Sequence, residues 1–332
     1  MQQGDDNQVD RIQNPTLSLN TPSARQFATR YGVYISLAVV LLAAAFLTPD
    51  LYSQQTLFVV LRQASQLGIV AIGQTLVLLV AGIDLSVGGV IVLTSVMIAQ
   101  VSRGQDAMLL PAIAIALVLG GLVGLFNGLL VTKRNVPPFV ATLGVLVLIQ
   151  GAILAYTRGI PSGQVPRSLG VVNQAIGPLP IPVVIWIVLT LAVGFILYLR
   201  PYGRRLYATG TNREAARLSG LRVDVVVISA YVLCSIMCVI GGVVLSGYIG
   251  YVDRYLGRGM DLDSIAAAVV GGTAFTGGRG NLLGTAAGVL IVQLLSNMTV
   301  LLGLSVQAQL VVKGLVIIGA VALYSLAARK GE

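Results

Sequence analysis

Histidine is absent from this chain, cysteine occurs twice, and only 10% of the residues carry charge. Without imidazole there is no histidine general base and no histidine-ligated metal, and two cysteines cannot complete a zinc tetrahedron. No Gly-x-x-x-x-Gly-Lys-[Ser/Thr] occurs, nor any Gly-Lys pair, so the phosphate-cradling loop of an ATPase is missing. Scarcity of charge excludes a water-soluble globule. Apolar residues make up 56% of the chain and 39 glycines bring the share to about two thirds, against roughly 45–50% in a soluble domain. Part of the solvent is therefore lipid.

Residues 1–30 are polar and mixed in charge (Asp5, Asp6, Asp10, Arg11, Arg25, Arg30), and Pro15 and Pro22 interrupt any long helix. The first apolar stretch starts at Tyr31, too late and too long for a secretory signal, so this segment is predicted to be a retained, disordered cytosolic tail. A bilayer core takes about 20 apolar residues per helix. Ten candidates follow: Tyr31 to Leu47, Thr56 to Val80, Ser86 to Val101, Leu109 to Val131, Phe139 to Tyr156, Ile181 to Arg200, Val223 to Ile249, Asp263 to Gly277, Leu282 to Leu302 and Val306 to Leu326. The expected fold is an all-α integral membrane protein of about ten transmembrane helices, the third and eighth short, with a permease domain over 31–326 and a cytosolic tail at 327–332.

Basic residues are retained on the cytosolic side. With both termini inside, the cytosolic segments hold 14 Lys and Arg and the opposite side holds five: Arg103, Arg158, Arg167, Arg254 and Arg258. This bias explains the net charge of +9 without nucleic acid. Arg62 is expected to snorkel outward; Lys313, deeper, either snorkels or lines a polar interior. Tyrosines at 31, 34, 52, 156, 198, 202, 248, 251 and 324 fall near helix ends, as an interfacial belt would. Cys234 and Cys238, four apart in an apolar run, read as buried fillers on one helix face.

An internal repeat is visible. Gly82-Ile-Asp-Leu85 precedes the third candidate helix and Gly259-Met-Asp-Leu262 the eighth, and each is followed by a glycine-spaced helix (Gly120, Gly124, Gly128; Gly284, Gly288). Five helices separate the copies, so the second is expected to be inverted.

The polar connection 201–222 is the longest one placed in the cytosol. Thr211 and Glu214 have capping-box spacing, Ala215, Ala216 and Leu218 favour helix, and Gly220 supplies a stop, leaving roughly 12 Å of helix. A helix that short needs a docking surface. Arg213 and Arg217 share one face, where a partner's acidic residues could pair with them.

The segment Gly203 to Leu221 resembles the cytosolic loop of ribose/xylose/galactose-type ABC importer permeases. Three further blocks are similar to the same family: Gly82-Ile-Asp-Leu-Ser-Val-Gly-Gly89, Asn127-Gly-Leu-Leu-Val through Val136-Pro-Pro-Phe-Val-Ala-Thr-Leu-Gly144, and Leu262 through Gly280. One departure is Ala274-Phe-Thr276, where the family usually has Ser-Leu-Ser. The resemblance implies a membrane subunit of an ATP-driven monosaccharide or small-polyol importer in a bacterial inner membrane. Its partners would be an ATP-binding subunit, a periplasmic or lipoprotein sugar-binding protein, and a second permease copy or paralogue; lipid surrounds it. ATP and Mg would be bound by the ATPase, with no cofactor in this chain. The coupling segment would comprise Gly210, Thr211, Asn212, Arg213, Glu214, Ala215, Ala216, Arg217, Ser219 and Gly220, with Glu214, Ala215 and Ala216 at the contact face.

Candidates for a translocation path or gate are Asp84, Ser86, Asn127, Thr142, Asp261 and Thr273. Asp84 could line the path or cap the third helix, and Asp261 and Asp263 read the same way. Asn127 could bond a neighbouring helix or a sugar. Glycines 271, 272, 277, 278 and 280 read as a tight turn with close helix packing, and Val136-Pro137-Pro138 as a rigid start to the fifth helix. An ion-coupled secondary transporter is the competing class, with the repeat and Asp84 as its support.

Overall fold

The computed structural model describes residues 24–253 and 255–329; residues 1–23 of the tail predicted over 1–30, Arg254, and residues 330–332 lie outside them, while 24–30 are helical. Twelve α-helices follow one another: α1 Ala24–Leu47, α2 Gln54–Leu79, α3 Val87–Ser102, α4 Leu109–Lys133, α5 Pro138–Tyr156, α6 Ile181–Leu199, α7 Pro201–Thr211, α8 Arg213–Leu218, α9 Val223–Ile249, α10 Met260–Val270, α11 Leu282–Leu301 and α12 Val306–Arg329. A two-stranded antiparallel ribbon, β1 Ala175–Ile176 and β2 Leu179–Pro180, decorates the long α5–α6 connection. From Val33 onward the chain forms one contact unit; the unit before it ends at Gly32 and is described by its helical residues 24–32 alone.

Each of the ten predicted apolar segments contains a helix. Among the described residues six helices are long and apolar enough to cross a membrane: α2, α4 with its leading turn, α5, α6, α9 and α11. Several boundaries differ from expectation. α1 begins at Ala24 rather than Tyr31, and α12 continues to Arg329. The eighth segment, predicted over Asp263 to Gly277, is the eleven-residue α10, stopped by Gly271 and by Gly272 at φ +90°. At 1.5 Å per residue it covers about 16 Å, half of a bilayer core.

Two long helices form the centre. α2 and α9 pack side by side, and the elements after each pack crosswise: α3 and α4 lie against α9, while α10 and α11 lie against α2. α3 also contacts α4 and α5, as α10 contacts α11 and α12. The packing therefore repeats over α2–α5 and α9–α12, the two stretches in which the sequence repeat lies.

Small residues allow this closeness, because in lipid helix association rests on packing rather than on hydrophobic exclusion. A methyl group placed on Gly124 of α4 would sit 2.6 Å from the Tyr231 carbonyl of α9, and one on Gly128 would sit 2.8 Å from Ile228 Cα. Gly284 and Gly288 of α11 lie correspondingly against the carbonyls of Gly271 and Ala267. Cys234 and Cys238 are free, buried thiols in α9.

Several predicted interfacial side chains also bond other parts of the chain while staying at least partly exposed. Arg62 donates to the Asn173 carbonyl at 2.5 Å in the α5–α6 connection. Tyr198 accepts the Leu282 amide at the start of α11, and Tyr202 bonds Ser229. Each ring reaches across to a neighbouring helix.

Candidate coupling and translocation site

α2 ends in a Schellman turn, with Gly82 N–H donating to the Val77 carbonyl and Ala81 N–H to Leu78. Ala81, at φ +56°, occupies the left-handed position that usually holds glycine. Irregular chain then runs to Ser86 before α3 begins. Backbone polar groups in such a break need partners inside the protein, since lipid supplies none.

Side chains from three helices provide them, and a fourth helix supports the Ser86 hydroxyl. Thr142 of α5 accepts the Leu85 amide at 3.0 Å and donates to the Pro138 carbonyl at 2.9 Å. Tyr231 of α9 donates to the Ile83 carbonyl at 3.3 Å. Gln74 of α2, with its carboxamide turned to satisfy both groups, donates to the Asp84 carbonyl and accepts the Asp84 amide, each at 3.2 Å. Asp84 Oδ1 accepts the Ser86 amide at 2.8 Å and the Ser86 hydroxyl at 2.6 Å, and Asn127 of α4 donates to that hydroxyl oxygen at 2.9 Å. Asp84, Ser86, Asn127 and Thr142 are thus one buried network. Ile83 and Leu85 are covered by Phe275, in the segment that departs from the family pattern, and by Ile265 and Val269 of α10.

The segment 201–222 folds as two helices rather than one. Pro201 opens α7, where its missing N–H costs nothing. Leu206, Thr209 and Gly210 of α7 are buried. A methyl on Gly210 would collide with the Leu79 carbonyl at the end of α2, and methyls on Gly277 and Gly278 would strike Ala81 and Thr211. Three backbone segments meet at this point. Gly278 N–H donates to the Leu79 carbonyl at 3.0 Å, and Arg213 donates to the Val80 carbonyl at 2.8 Å. Two of the orphan carbonyls at the end of α2 are thereby satisfied by the α10–α11 turn and by α8. Tyr207 of α7 donates to the Gly280 carbonyl at 2.8 Å, and burial pushes its hydroxyl up, keeping the donor protonated.

The capping box is corrected. Asn212, not Thr211, caps α8: its side-chain oxygen accepts the amides of Glu214 and Ala215, both at 3.0 Å. Thr211 is the last residue of α7 and donates to its own Tyr207 carbonyl at 2.9 Å. α8 comprises six residues, and Gly220 at φ +80° closes a second Schellman turn, with Leu221 N–H on the Ala216 carbonyl. Two face assignments also change. Ala216 is 4% exposed and belongs to the core, so it offers no outer contact. Arg213 and Arg217 are occupied within the chain, Arg213 by Val80 and Arg217 by Asp224 at 3.2 Å; Asp224 also pairs with Lys133 of α4. What α8 and its cap leave outward is Glu214, Ala215, Arg217, Ser219 and Leu218, a residue read in the sequence only as a helix former and 85% exposed.

Asp261 and Thr273 are not part of the Asp84 network. Thr273 follows α10, fully buried beside Gly280, with its hydroxyl unpartnered. Asp261 lies inside the first turn of α10, because Gly259 at φ +85° is the residue before the helix, and it borders a separate cavity of about 390 Å³. The two Gly-x-Asp-Leu copies therefore differ in structure: the first is irregular and largely buried, while the second opens a helix. Gln74, Tyr231 and Asp224 carry no local sequence signal. Lys313 resolves to a polar interior, paired with Asp263 at 2.8 Å.

A profile of the family "Branched-chain amino acid transport system / permease component" matches residues 56–321. The ribose import permease protein RbsC of Escherichia coli K12 is 36% identical over 320 residues, covering 92% of this chain and 98% of its own. The fructose import permease protein FrcC of Rhizobium meliloti is 35% identical, covering 82% and 78%, and the galactose/methyl galactoside import permease protein MglC of Escherichia coli K12 is 33% identical, covering 93% and 98%. No solved structure matches. With its apolar helices, its ordered motifs and these relatives, the chain belongs to the family of sugar ABC importer permeases, as a multi-pass membrane protein.

Proposed function

We propose that this chain is the membrane subunit of an ATP-driven importer of a monosaccharide or related small polyol, powered by a separate ATPase and supplied by a substrate-binding protein. The observation that carries the reading is α8. It is fastened to the membrane core by Arg213 on Val80 while Leu218 and Glu214 stand outward. A six-residue helix is not stable in isolation, and an 85% exposed leucine beside Lys133, Arg217 and Asp224 fits a protein contact better than open water. α8 lies on the side rich in Lys and Arg, which supports a cytosolic position and cytosolic termini. The relatives named for ribose, fructose and galactose import support the substrate class.

In this reading a second permease copy or a paralogue completes the pathway, and ATP with Mg binds on the ATPase. Docking pulls or releases the end of α2 through Val80, and the irregular segment 80–86 takes up the change. Ion coupling is the competing class. The test is uptake by proteoliposomes holding the permease, its ATPase and its binding protein, offered D-ribose, D-fructose and D-galactose. Uptake of one sugar that requires hydrolysable ATP supports the proposal; uptake driven by a proton or sodium gradient without ATP overturns it.

A further inference from the structure

At the end of the bundle away from α8, the structure holds a polar chamber to which, of the residues singled out in the sequence, Asp263 and Lys313 contribute. Its walls come from the first half of α2, the start of α10, the end of α11 and the start of α12. The cavity measures about 490 Å³, within the roughly 300–1,000 Å³ of small-molecule sites. Gln63, Gln293, Asn297, Gln309, Asp263 and Lys313 line it. Gln63 Oε1 accepts from Gln293 at 2.6 Å and from Asn297 at 3.0 Å, and Asp263 pairs with Lys313 at 2.8 Å.

Interhelical adhesion would account for the Gln63 triad alone. It does not account for the donors and acceptors left over. Asp263 Oδ1 is buried without a partner. An adjoining cavity of about 340 Å³ shares Gln63, Asp263 and Gln293 with the first, and it is also lined by Gln66, 4% exposed, whose carboxamide nitrogen is buried and unpartnered. A buried, unmet amide donor and an unmet carboxylate acceptor are costly unless something bonds to them. Carboxamides and a carboxylate, flanked by apolar Val292 and Val300, present alternating donors and acceptors beside apolar surface. That is the complement of a polyhydroxylated ring, whose hydroxyls both donate and accept.

We infer that this chamber is a polyol-binding station on the outer half of the pathway, a site for the transported sugar within a single permease chain. The inference rests on the reading of the chain as a sugar importer. Gln63 and Val80 lie on or at the end of the same helix, about 25 Å apart at 1.5 Å per residue. One rigid element therefore joins the chamber to the carbonyl held by Arg213.

The experiment uses the complete transporter in proteoliposomes. Gln309→Cys is introduced with Cys234→Ala and Cys238→Ala; Gln309 bonds only the nearby Leu304 carbonyl, so the triad is left intact. A small water-soluble thiol reagent is applied with and without the sugar that the wild type imports. The expected result is that this sugar slows labelling roughly fivefold, the size of a fractional-occupancy effect, while a sugar that is not imported leaves it unchanged. In parallel, Asn297→Leu together with Gln293→Met should lower uptake roughly tenfold, about 1.4 kcal/mol, with ATPase copurification unchanged. Import by the wild type with labelling indifferent to its sugar, or full uptake by the double variant, would overturn the chamber and leave the importer reading standing. A wild-type complex that moves none of the three sugars would overturn the importer reading first and the chamber with it.

Discussion

Arg213, at the start of the six-residue α8, donates to the carbonyl of Val80 at 2.8 Å, joining positions 133 apart in sequence. The bond caps the end of α2 with a cation, where the partial negative charge of the helix terminus favours one. It is also the direct side-chain tie between the short surface helix and the break that organises Asp84, Ser86, Asn127 and Thr142.

Replacing Arg213 with Ala should uncouple the transporter. A hydrogen bond to a charged group contributes about 1.5–3 kcal/mol, so the protein should remain folded while the link is lost. ATP hydrolysis by the assembled complex should persist and sugar uptake per ATP should fall roughly tenfold, about the 1.4 kcal/mol of a factor of ten. Arg213→Lys keeps a donor without the fork and should fall between. Parallel assays of hydrolysis and uptake check this; equal uptake per ATP in wild type and Arg213→Ala would reject it.

Gly210→Ala should destabilise the fold itself. Its methyl would collide with the Leu79 carbonyl, a backbone group that cannot rotate away, whereas a methyl on Gly121 of α4 meets nothing within 4 Å. Overpacking of this kind costs about 1–3 kcal/mol. Thermal unfolding in detergent should show a lowered midpoint for Gly210→Ala, and a midpoint for Gly121→Ala at or above the wild type.

Asn212→Ala should loosen α8 by about 0.5–2 kcal/mol, the usual loss of an N-cap, and Thr211→Ala should not. Amide hydrogen exchange at Glu214 and Ala215 reads this directly, since those are the amides that Asn212 accepts. Faster exchange in the Thr211 variant with an unchanged Asn212 variant would restore the capping-box assignment.

Much of the architecture was legible because lipid imposes a single rule, that every backbone polar group be met within the chain, and long apolar helices satisfy it visibly. The glycine spacing at 120, 124 and 128 likewise announced close helix contact. The site was less legible. A capping box and an Asn N-cap differ by one residue of register, and only the extension of α7 through Thr211 decides between them. Arg213 and Arg217 look like free surface charges until Val80 and Asp224, distant in sequence, are seen to hold them. The resemblance puts Ala216 at the contact face, and a six-residue helix carries no periodic pattern long enough to reveal its buried side. Gln63 lies on α2 and Gln293 and Asn297 on α11, and nothing local indicates that these two helices bring them together.

The account rests most heavily on α8 as the surface that receives the ATPase, and Leu218 tests it most directly. At 85% exposure its replacement by Gln disturbs no packing, and the two residues have similar helix propensity. Burying a leucine at an interface contributes about 1.5–3 kcal/mol, so its loss should weaken association by roughly ten- to a hundredfold. The measurement is the amount of ATPase that copurifies with Leu218→Gln permease at equal membrane level, beside sugar uptake. The account predicts that both fall together while the permease keeps its unfolding temperature. Normal ATPase recovery with normal uptake would show that α8 is only a connector between α7 and α9.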